Sequence, residues 1–154
     1  MDSRLVTNPR RPFGRIVSAT LPAEVVLDAS AAVRGYFSRE GLARDIVDGV
    51  VSGSTAAHVP GLFAPEVTSA LRVRVDAQRW PLAEALHALA VLLDWPVAVR
   101  SCEPLAVAAL EVSGELGISA YDAFYAVLSR ELGIPLVTAD RRLAAAVPGA
   151  VLVV

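Results

Sequence analysis

Short apolar segments of strand-forming residues alternate with longer stretches of helical periodicity, and this alternation restricts the fold more than any other feature of the chain. The apolar segments are residues 24–28, 56–60, 96–100, 134–138 and 150–154. Strands that alternate with helices favour βα units and a parallel sheet. The pattern therefore predicts an α/β fold with five strands.

The stretches between these segments carry apolar residues at helical spacing and predict about seven helices. Ser30 is expected to cap the first one, and Trp80-Pro81 to separate the third from the fourth. The expected helices span residues 30–37, 39–51, 63–79, 82–95, 104–116, 119–132 and 141–146.

Length and composition exclude several classes of protein. The 154 residues suit a single domain, and no apolar run approaches the roughly 18 residues of a membrane span, although 55% of the chain is hydrophobic. We therefore expect a cytoplasmic protein without a membrane partner. The single cysteine, Cys102, excludes a disulfide framework. All 14 basic residues are arginine, which excludes chemistry that requires a lysine, such as a P-loop or a Schiff base.

Four acidic residues occupy comparable places in the predicted fold. Asp28 ends the first strand, Asp140 follows the fourth, and Glu66 and Asp122 open helices. Each has an ordinary local explanation: a turn acid, an N-cap, an acid at a positive helix end, or a capping box with Ser119. Ligands of open parallel sheets, however, lie beyond the carboxyl ends of the strands, where all four can converge.

Four neighbouring carboxylates repel one another and cannot all stay ionised and unpaired at neutral pH. A divalent cation would offset much of that repulsion. Ligands that are all oxygen favour Mg²⁺ or Mn²⁺ over zinc. The pattern therefore predicts a metal site.

At these acids the chain resembles PIN-domain proteins, in particular VapC-type toxin ribonucleases. The resemblance covers residues 25 to 154, and its four motifs occur in the order of the family. They are Val25-Val-Leu-Asp-Ala-Ser30, Pro65-Glu-Val-Thr-Ser-Ala-Leu71, Ser119-Ala-Tyr-Asp-Ala-Phe-Tyr-Ala126 and Leu136-Val-Thr-Ala-Asp-Arg-Arg-Leu143.

The resemblance implies a PIN-like three-layer fold around a five-stranded parallel sheet. It also implies Mg²⁺ or Mn²⁺ as cofactor, RNA as substrate, a homodimer, and a small antitoxin protein that blocks the site. The hydroxyls of Ser30 and Thr138 would support the acidic cluster. The residues that would bind the metal and carry catalysis are Asp28, Glu66, Asp122 and Asp140.

The predicted activity is therefore endoribonuclease cleavage of phosphodiester bonds by the toxin of a toxin–antitoxin pair. Arg141 and Arg142, beside Asp140, are candidate contacts to RNA phosphates. The RNA that is cut, the number of metal ions and the acid that takes the proton of water stay open. The alternative is a catalytically idle PIN-like domain that binds RNA or protein.

Other α/β classes fit less well. A receiver domain requires a lysine, and a haloacid-type phosphatase requires a second aspartate where Ser30 stands. A dinucleotide-binding domain requires Gly-x-Gly-x-x-Gly after the first strand, and this sequence lacks it there.

The remaining unusual residues are interpreted as structural. His58, His87 and Cys102 lack partners at useful spacing, and Trp80 and Trp95 are expected to serve packing or an interface. Five further apolar residues are predicted to lie either in the hydrophobic core or on a surface that binds a second copy of the chain or an antitoxin helix. They are Leu86, Leu89, Leu93, Val107 and Leu110.

Residues 1–22 differ from the predicted domain, 23–154. They hold four arginines and only one acid, Asp2, and they contain no apolar segment of a secretory signal. We expect a flexible extension or a misplaced start; the alternative is a basic arm that contacts RNA.

Overall fold

The computed structural model describes residues 21–154. The flexible extension predicted for residues 1–22 lies outside them except for its last two residues. Leu21 packs against the core, and the carbonyl of Pro22 accepts a 3.1 Å hydrogen bond from the Thr55 hydroxyl.

Five strands of the described residues form one parallel sheet in the order β3-β2-β1-β4-β5. This confirms the predicted fold class, although every strand except the second is shorter than expected. The strands are β1 (Glu24–Leu27), β2 (Ala56–Pro60), β3 (Val97–Arg100), β4 (Leu136–Thr138) and β5 (Val151–Leu152).

Within residues 21–154, seven α-helices connect and cover the strands, as predicted, and a 3₁₀ turn at Glu103–Leu105 precedes the fifth helix. Gly117 and Gly133 end two of them in left-handed conformations, with φ of 64° and 66°. The helices are α1 (Ala29–Phe37), α2 (Leu42–Ser52), α3 (Phe63–Gln78), α4 (Leu82–Leu93), α5 (Ala106–Leu116), α6 (Ala120–Leu132) and α7 (Arg141–Ala146).

The helices lie in two layers, one on each face of the sheet. Val25 and Leu27 of β1 join a core formed with α1 to α4, whereas Val26 joins a second core formed with α5, α6 and α7. This follows from the strand geometry, since successive side chains point to opposite faces. Burial on both faces explains why the central strands are continuously apolar.

The helices α1 and α2 meet closely at Gly35. A Cβ atom at this position would lie 2.5 Å from the carbonyl oxygen of Ala43 in α2. A side chain at residue 35 would therefore displace one helix from the other.

The predicted capping role of Ser30 is wrong. The helix begins at Ala29, with Asp28 at the N-cap position, so Ser30 lies inside the first turn. Its hydroxyl turns back to the Asp28 carboxylate instead of capping a backbone N–H of the helix.

The predicted apolar surface is exposed only in part. Leu89 packs against the core, but Val107 and Leu110 of α5 are 75% and 73% exposed, and Leu86 and Leu93 of α4 are also exposed. Trp95 is buried, as a packing role requires. None of the helices described is both long and apolar enough to cross a membrane.

The order of the strands creates a crevice beside the centre of the sheet. After β1 the chain adds β2 and β3 on one side, and then returns to add β4 and β5 on the other. Residues that follow β1 and β4 consequently face each other at the carboxyl edge of the sheet, which is where open α/β sheets bind ligands.

Candidate active site

The four predicted acids line one cavity of about 300 Å³ at this edge. Asp28 follows β1, Asp140 follows β4, Glu66 lies in the first turn of α3, and Asp122 lies in the first turn of α6. Four separate elements thus bring together residues that are far apart in the sequence. The rest of the lining is Ala29, Ser30, Ser69 and Ala70.

The Asp28 carboxylate is buried and held by the two hydroxyls that the resemblance implied. Thr138 donates to its Oδ2 atom at 2.6 Å, and Ser30 donates a short hydrogen bond to the same oxygen. Thr138 is fully buried in β4, so the first of these bonds joins β4 to the residue that directly follows β1. The orientation of the carboxylate is therefore set by the sheet itself.

The same hydroxyls also fix the chain that leads to Asp140. Ser30 Oγ accepts the backbone N–H of Ala139, and Thr138 Oγ1 accepts that of Asp140, both at 3.0 Å. Each hydroxyl has a single proton, and that proton points to Asp28. The two hydroxyl oxygens lie 3.2 Å apart, but neither donates its proton to the other. Together they form a hydrogen-bond network that links Asp28 to Asp140.

Glu66 has a partner that the sequence did not reveal. The hydroxyl of Tyr125, a fully buried residue of α6, donates a 2.6 Å hydrogen bond to Glu66 Oε2. Tyr125 lies three residues after Asp122, one helical turn away and on the same side of α6. That spacing was the available signal, but the partner on α3 is 59 positions away.

Asp122 and Asp140 also fulfil the local roles that their positions suggested. The Asp122 N–H donates to Ser119 Oγ at 3.0 Å, and Asp140 Oδ1 accepts the N–H groups of Arg142 and Leu143 at 2.7 and 3.2 Å. The capping and site interpretations are therefore compatible, since each carboxylate also lines the cavity.

The carboxylates affect one another electrostatically. Burial raises the pKa of Asp28 above its ordinary value of 3.8, against the hydroxyls of Ser30 and Thr138, and the charge of Asp122 raises it further. Burial also raises the pKa of Glu66 above 4.5, against the Tyr125 hydrogen bond, with contributions from the charges of Asp28 and Asp122. The cavity thus disfavours the accumulation of negative charge and would attract a cation.

The donor set fits a hard, hydrated divalent cation. The acids offer only oxygen ligands, which suit Mg²⁺ and Mn²⁺. Within residues 21–154, no three His, Cys, Asp or Glu side chains are gathered closely enough to enclose an ion by themselves. Mg²⁺ ordinarily keeps several waters and takes one or two carboxylates, so it does not need such an enclosure.

The two candidate RNA contacts are placed differently. Arg141 and Arg142 are both exposed at the start of α7, and Arg142 lines a cavity next to Asp122 and Asp140 that Arg141 does not line. His58 is bound instead to Glu24 at 3.0 Å, across the sheet, and His87 lines a separate cavity with Trp80. Neither histidine lines the acidic cavity.

Comparison with known proteins agrees with the fold. The family model described as PIN domain matches residues 25–147. Ribonuclease VapC1 of Mycobacterium tuberculosis is 33% identical over 128 residues, which cover 82% of this chain and 92% of that protein. Ribonuclease VapC12 of the same organism is 33% identical over 120 residues, covering 78% and 89% respectively.

A solved structure is similar as well. The crystal structure of PAE2754 from Pyrobaculum aerophilum superposes with a TM-score of 0.66 at 28% identity, and the match covers 85% of this chain and 91% of that one. The sequence motifs, the parallel sheet and these matches agree with one another. The chain therefore belongs to the PIN-domain family, among its VapC-type members.

Proposed function

We propose that this chain is an Mg²⁺- or Mn²⁺-dependent endoribonuclease that acts in the cytoplasm as the toxin of a toxin–antitoxin pair. The observation that carries the proposal is the convergence of Asp28, Glu66, Asp122 and Asp140 on one cavity at the carboxyl edge of the sheet. The 33% identical relatives are named ribonucleases, which supports RNA as the substrate.

One or two carboxylates of this cluster would hold the metal ion directly, and the others would add negative charge around it. When bound, the ion would lower the pKa of a water molecule and offset charge on the phosphate. The protein contributes a rigid arrangement of ligands. Asp28 is oriented by Ser30 and Thr138, and Glu66 by Tyr125. Such fixed orientation lowers the reorganisation needed during reaction.

Tyr125 acts in this arrangement as a permanent donor. Burial raises the pKa of its hydroxyl far above the ordinary value, and the Glu66 carboxylate raises it further. The Tyr125 proton therefore stays on the phenol and keeps Glu66 Oε2 in place, while the other carboxylate oxygen of Glu66 is left for a ligand.

Incubation of the purified chain with mixed RNA, in Mg²⁺, Mn²⁺ or EDTA, tests the activity. We expect cleavage with either metal, none with EDTA, and a loss of at least about 100-fold in Asp28→Asn, because a ligand and its charge are removed. Asp94→Asn, at an exposed acid outside the cavity, is the matched control and should cut normally. A wild-type chain that binds RNA but never cuts it would instead be the idle PIN-like domain.

The homodimer and the antitoxin belong to the same proposal. The VapC-type membership supports both, and the exposed Val107 and Leu110 of α5 offer apolar surface for an association. Light scattering of the purified chain tests for the dimer. Co-expression with the product of a short neighbouring reading frame tests for the antitoxin, which should suppress growth arrest caused by the chain alone.

A further inference from the structure

A second cavity adjoins the acidic one. It has a volume of about 480 Å³ and lies between the connection from α5 to α6 and the helix α7. Asp122 and Asp140 line both cavities, so the second begins where the first ends. A ligand held at the acids therefore has an adjoining space of the size that small-molecule sites usually occupy.

The lining of the second cavity combines apolar side chains with hydrogen-bond donors. Leu116 and Ile118 contribute apolar surface, and Arg142 contributes a guanidinium. Arg142 forms no salt bridge with any residue of the described part, 21–154. Ser119 Oγ accepts the N–H of Asp122, which leaves its own proton to donate.

We propose that this second cavity binds a nucleotide of single-stranded RNA next to the bond that is cut. The base would lie on the apolar surface, and Arg142 would bind a phosphate beside it. A flexible single strand can place an unstacked base in such a space, whereas a paired base cannot leave its helix without cost. The inference rests on the proposed ribonuclease function, and it states on which side of the acidic cavity the substrate binds.

Arg141 provides a matched control for Arg142. The two residues are adjacent and exposed, and only Arg142 lines the cavity. Arg141→Glu and Arg142→Glu change the net charge equally, so a difference between them reports the local contact and not the general field of the protein. Thermal melting of both variants checks that they are folded.

The first measurement is binding of a fluorescein-labelled single-stranded RNA decamer of mixed sequence, followed by anisotropy in EDTA, where no metal-dependent cleavage occurs. We expect Arg142→Glu to weaken binding about 10-fold, as loss of one charge-assisted contact implies, and Arg141→Glu about 2-fold or less. Equal weakening by the two variants, or none by either, overturns the proposal.

The second measurement fills the cavity. Ala145 is an exposed lining residue of α7, so Ala145→Trp should fold, whereas Ala145→Ser leaves the volume nearly unchanged. With Mg²⁺ we expect Ala145→Trp to raise KM about 10-fold and to change which sites in a mixed RNA are cut, and Ala145→Ser to do neither. Unchanged KM and cleavage sites in Ala145→Trp overturn the proposal.

These measurements distinguish failure of the ribonuclease activity from failure of the nucleotide site. If the wild-type chain cuts no RNA with any metal, the ribonuclease proposal fails, and binding in EDTA still decides whether this cavity holds RNA. If the wild type cuts and Arg142→Glu behaves as Arg141→Glu does, the ribonuclease proposal stands and the nucleotide site is refuted.

Discussion

The hydroxyl of Tyr125 and the carboxylate of Glu66 form a 2.6 Å hydrogen bond that joins α6 to α3 across the floor of the active site. The donor is fully buried and the acceptor half-buried. This hydrogen bond therefore holds together the two helices that carry Glu66 and Asp122, and it does so without a bound ligand.

Removal of this donor should reduce both stability and activity. Tyr125→Phe leaves the Glu66 carboxylate without its partner, so we expect a loss of about 2 kcal/mol in the free energy of unfolding and about 10-fold lower cleavage. Urea unfolding and initial cleavage rates measure the two effects. Tyr121→Phe, at an exposed tyrosine of the same helix, is the control and should change neither. Normal activity in Tyr125→Phe would show that Glu66 needs no anchor.

The hydroxyl pair around Asp28 gives a second prediction. Thr138→Val removes a donor from Asp28 Oδ2 and an acceptor from the N–H of Asp140, so it should cost about 1–3 kcal/mol of stability. Because the Thr138 hydrogen bond lowers the pKa of Asp28, its loss should raise that pKa further. Cleavage should then decline at the acidic end of its pH profile more than at neutral pH.

A double-mutant cycle with Ser30→Ala tests whether the two hydroxyls act together. Both donate to the same oxygen, so we expect a coupling free energy of about 0.5 kcal/mol or more in urea unfolding. Additive losses would mean that the hydroxyls act on Asp28 independently.

The pH dependence of stability in EDTA is the third prediction. The folded state raises the pKa of Asp28 above 3.8, so between that value and the raised one the folded protein binds more protons than the unfolded chain. Stability from this group is thus complete below pH 3.8 and is lost as the pH rises through the raised pKa. The raised pKa of Glu66 has the same effect on stability: its contribution is complete below pH 4.5 and is lost as the pH rises through the raised pKa.

Asp28→Asn should flatten this decline and make the metal-free protein more stable than the wild type at neutral pH. Urea midpoints measured across the acidic and neutral range give the comparison, with Asp94→Asn as the control for loss of one exposed carboxylate. A variant that is less stable than the wild type at neutral pH in EDTA contradicts the prediction.

Metal binding is the fourth prediction. Mg²⁺ or Mn²⁺ at about 100 times its dissociation constant should stabilise the folded chain by about 2.7 kcal/mol, visible as a higher Tm. The gain should shrink at acidic pH, because protons compete for carboxylates of raised pKa. Asp28→Asn and Glu66→Gln should each show a smaller gain, whereas Asp94→Asn should equal the wild type. A gain that survives in Asp28→Asn would place the ion elsewhere.

Much of the fold was predictable because it depends on local patterns. Continuous apolar segments indicated buried parallel strands. Ser119 and Asp140 cap their helices as their positions suggested, although only the Ser119 half of the predicted capping box forms. The convergence of the acids was also predictable, since it follows from the topology of a parallel sheet.

The contacts that hold the acids in place were not predictable from local patterns. The anchor of Glu66 is Tyr125, a residue of α6 that lies 59 positions away in the sequence. Ser30 was expected to cap a helix, but a longer-range network with Thr138 and Asp28 determines its orientation. Both contacts depend on distances across the folded molecule. The family resemblance implied that the hydroxyls of Ser30 and Thr138 support the acids, but no local pattern indicated the hydrogen bonds that they form.

The link between Asp28 and Thr138 has a consequence for synthesis. A ribosome makes Asp28 early and adds Thr138 110 positions later, with Asp140 after it. Until those residues have emerged and β4 has paired with β1, the first carboxylate lacks its partner and the cavity lacks a wall. The growing chain consequently lacks a complete acidic cavity for most of its translation.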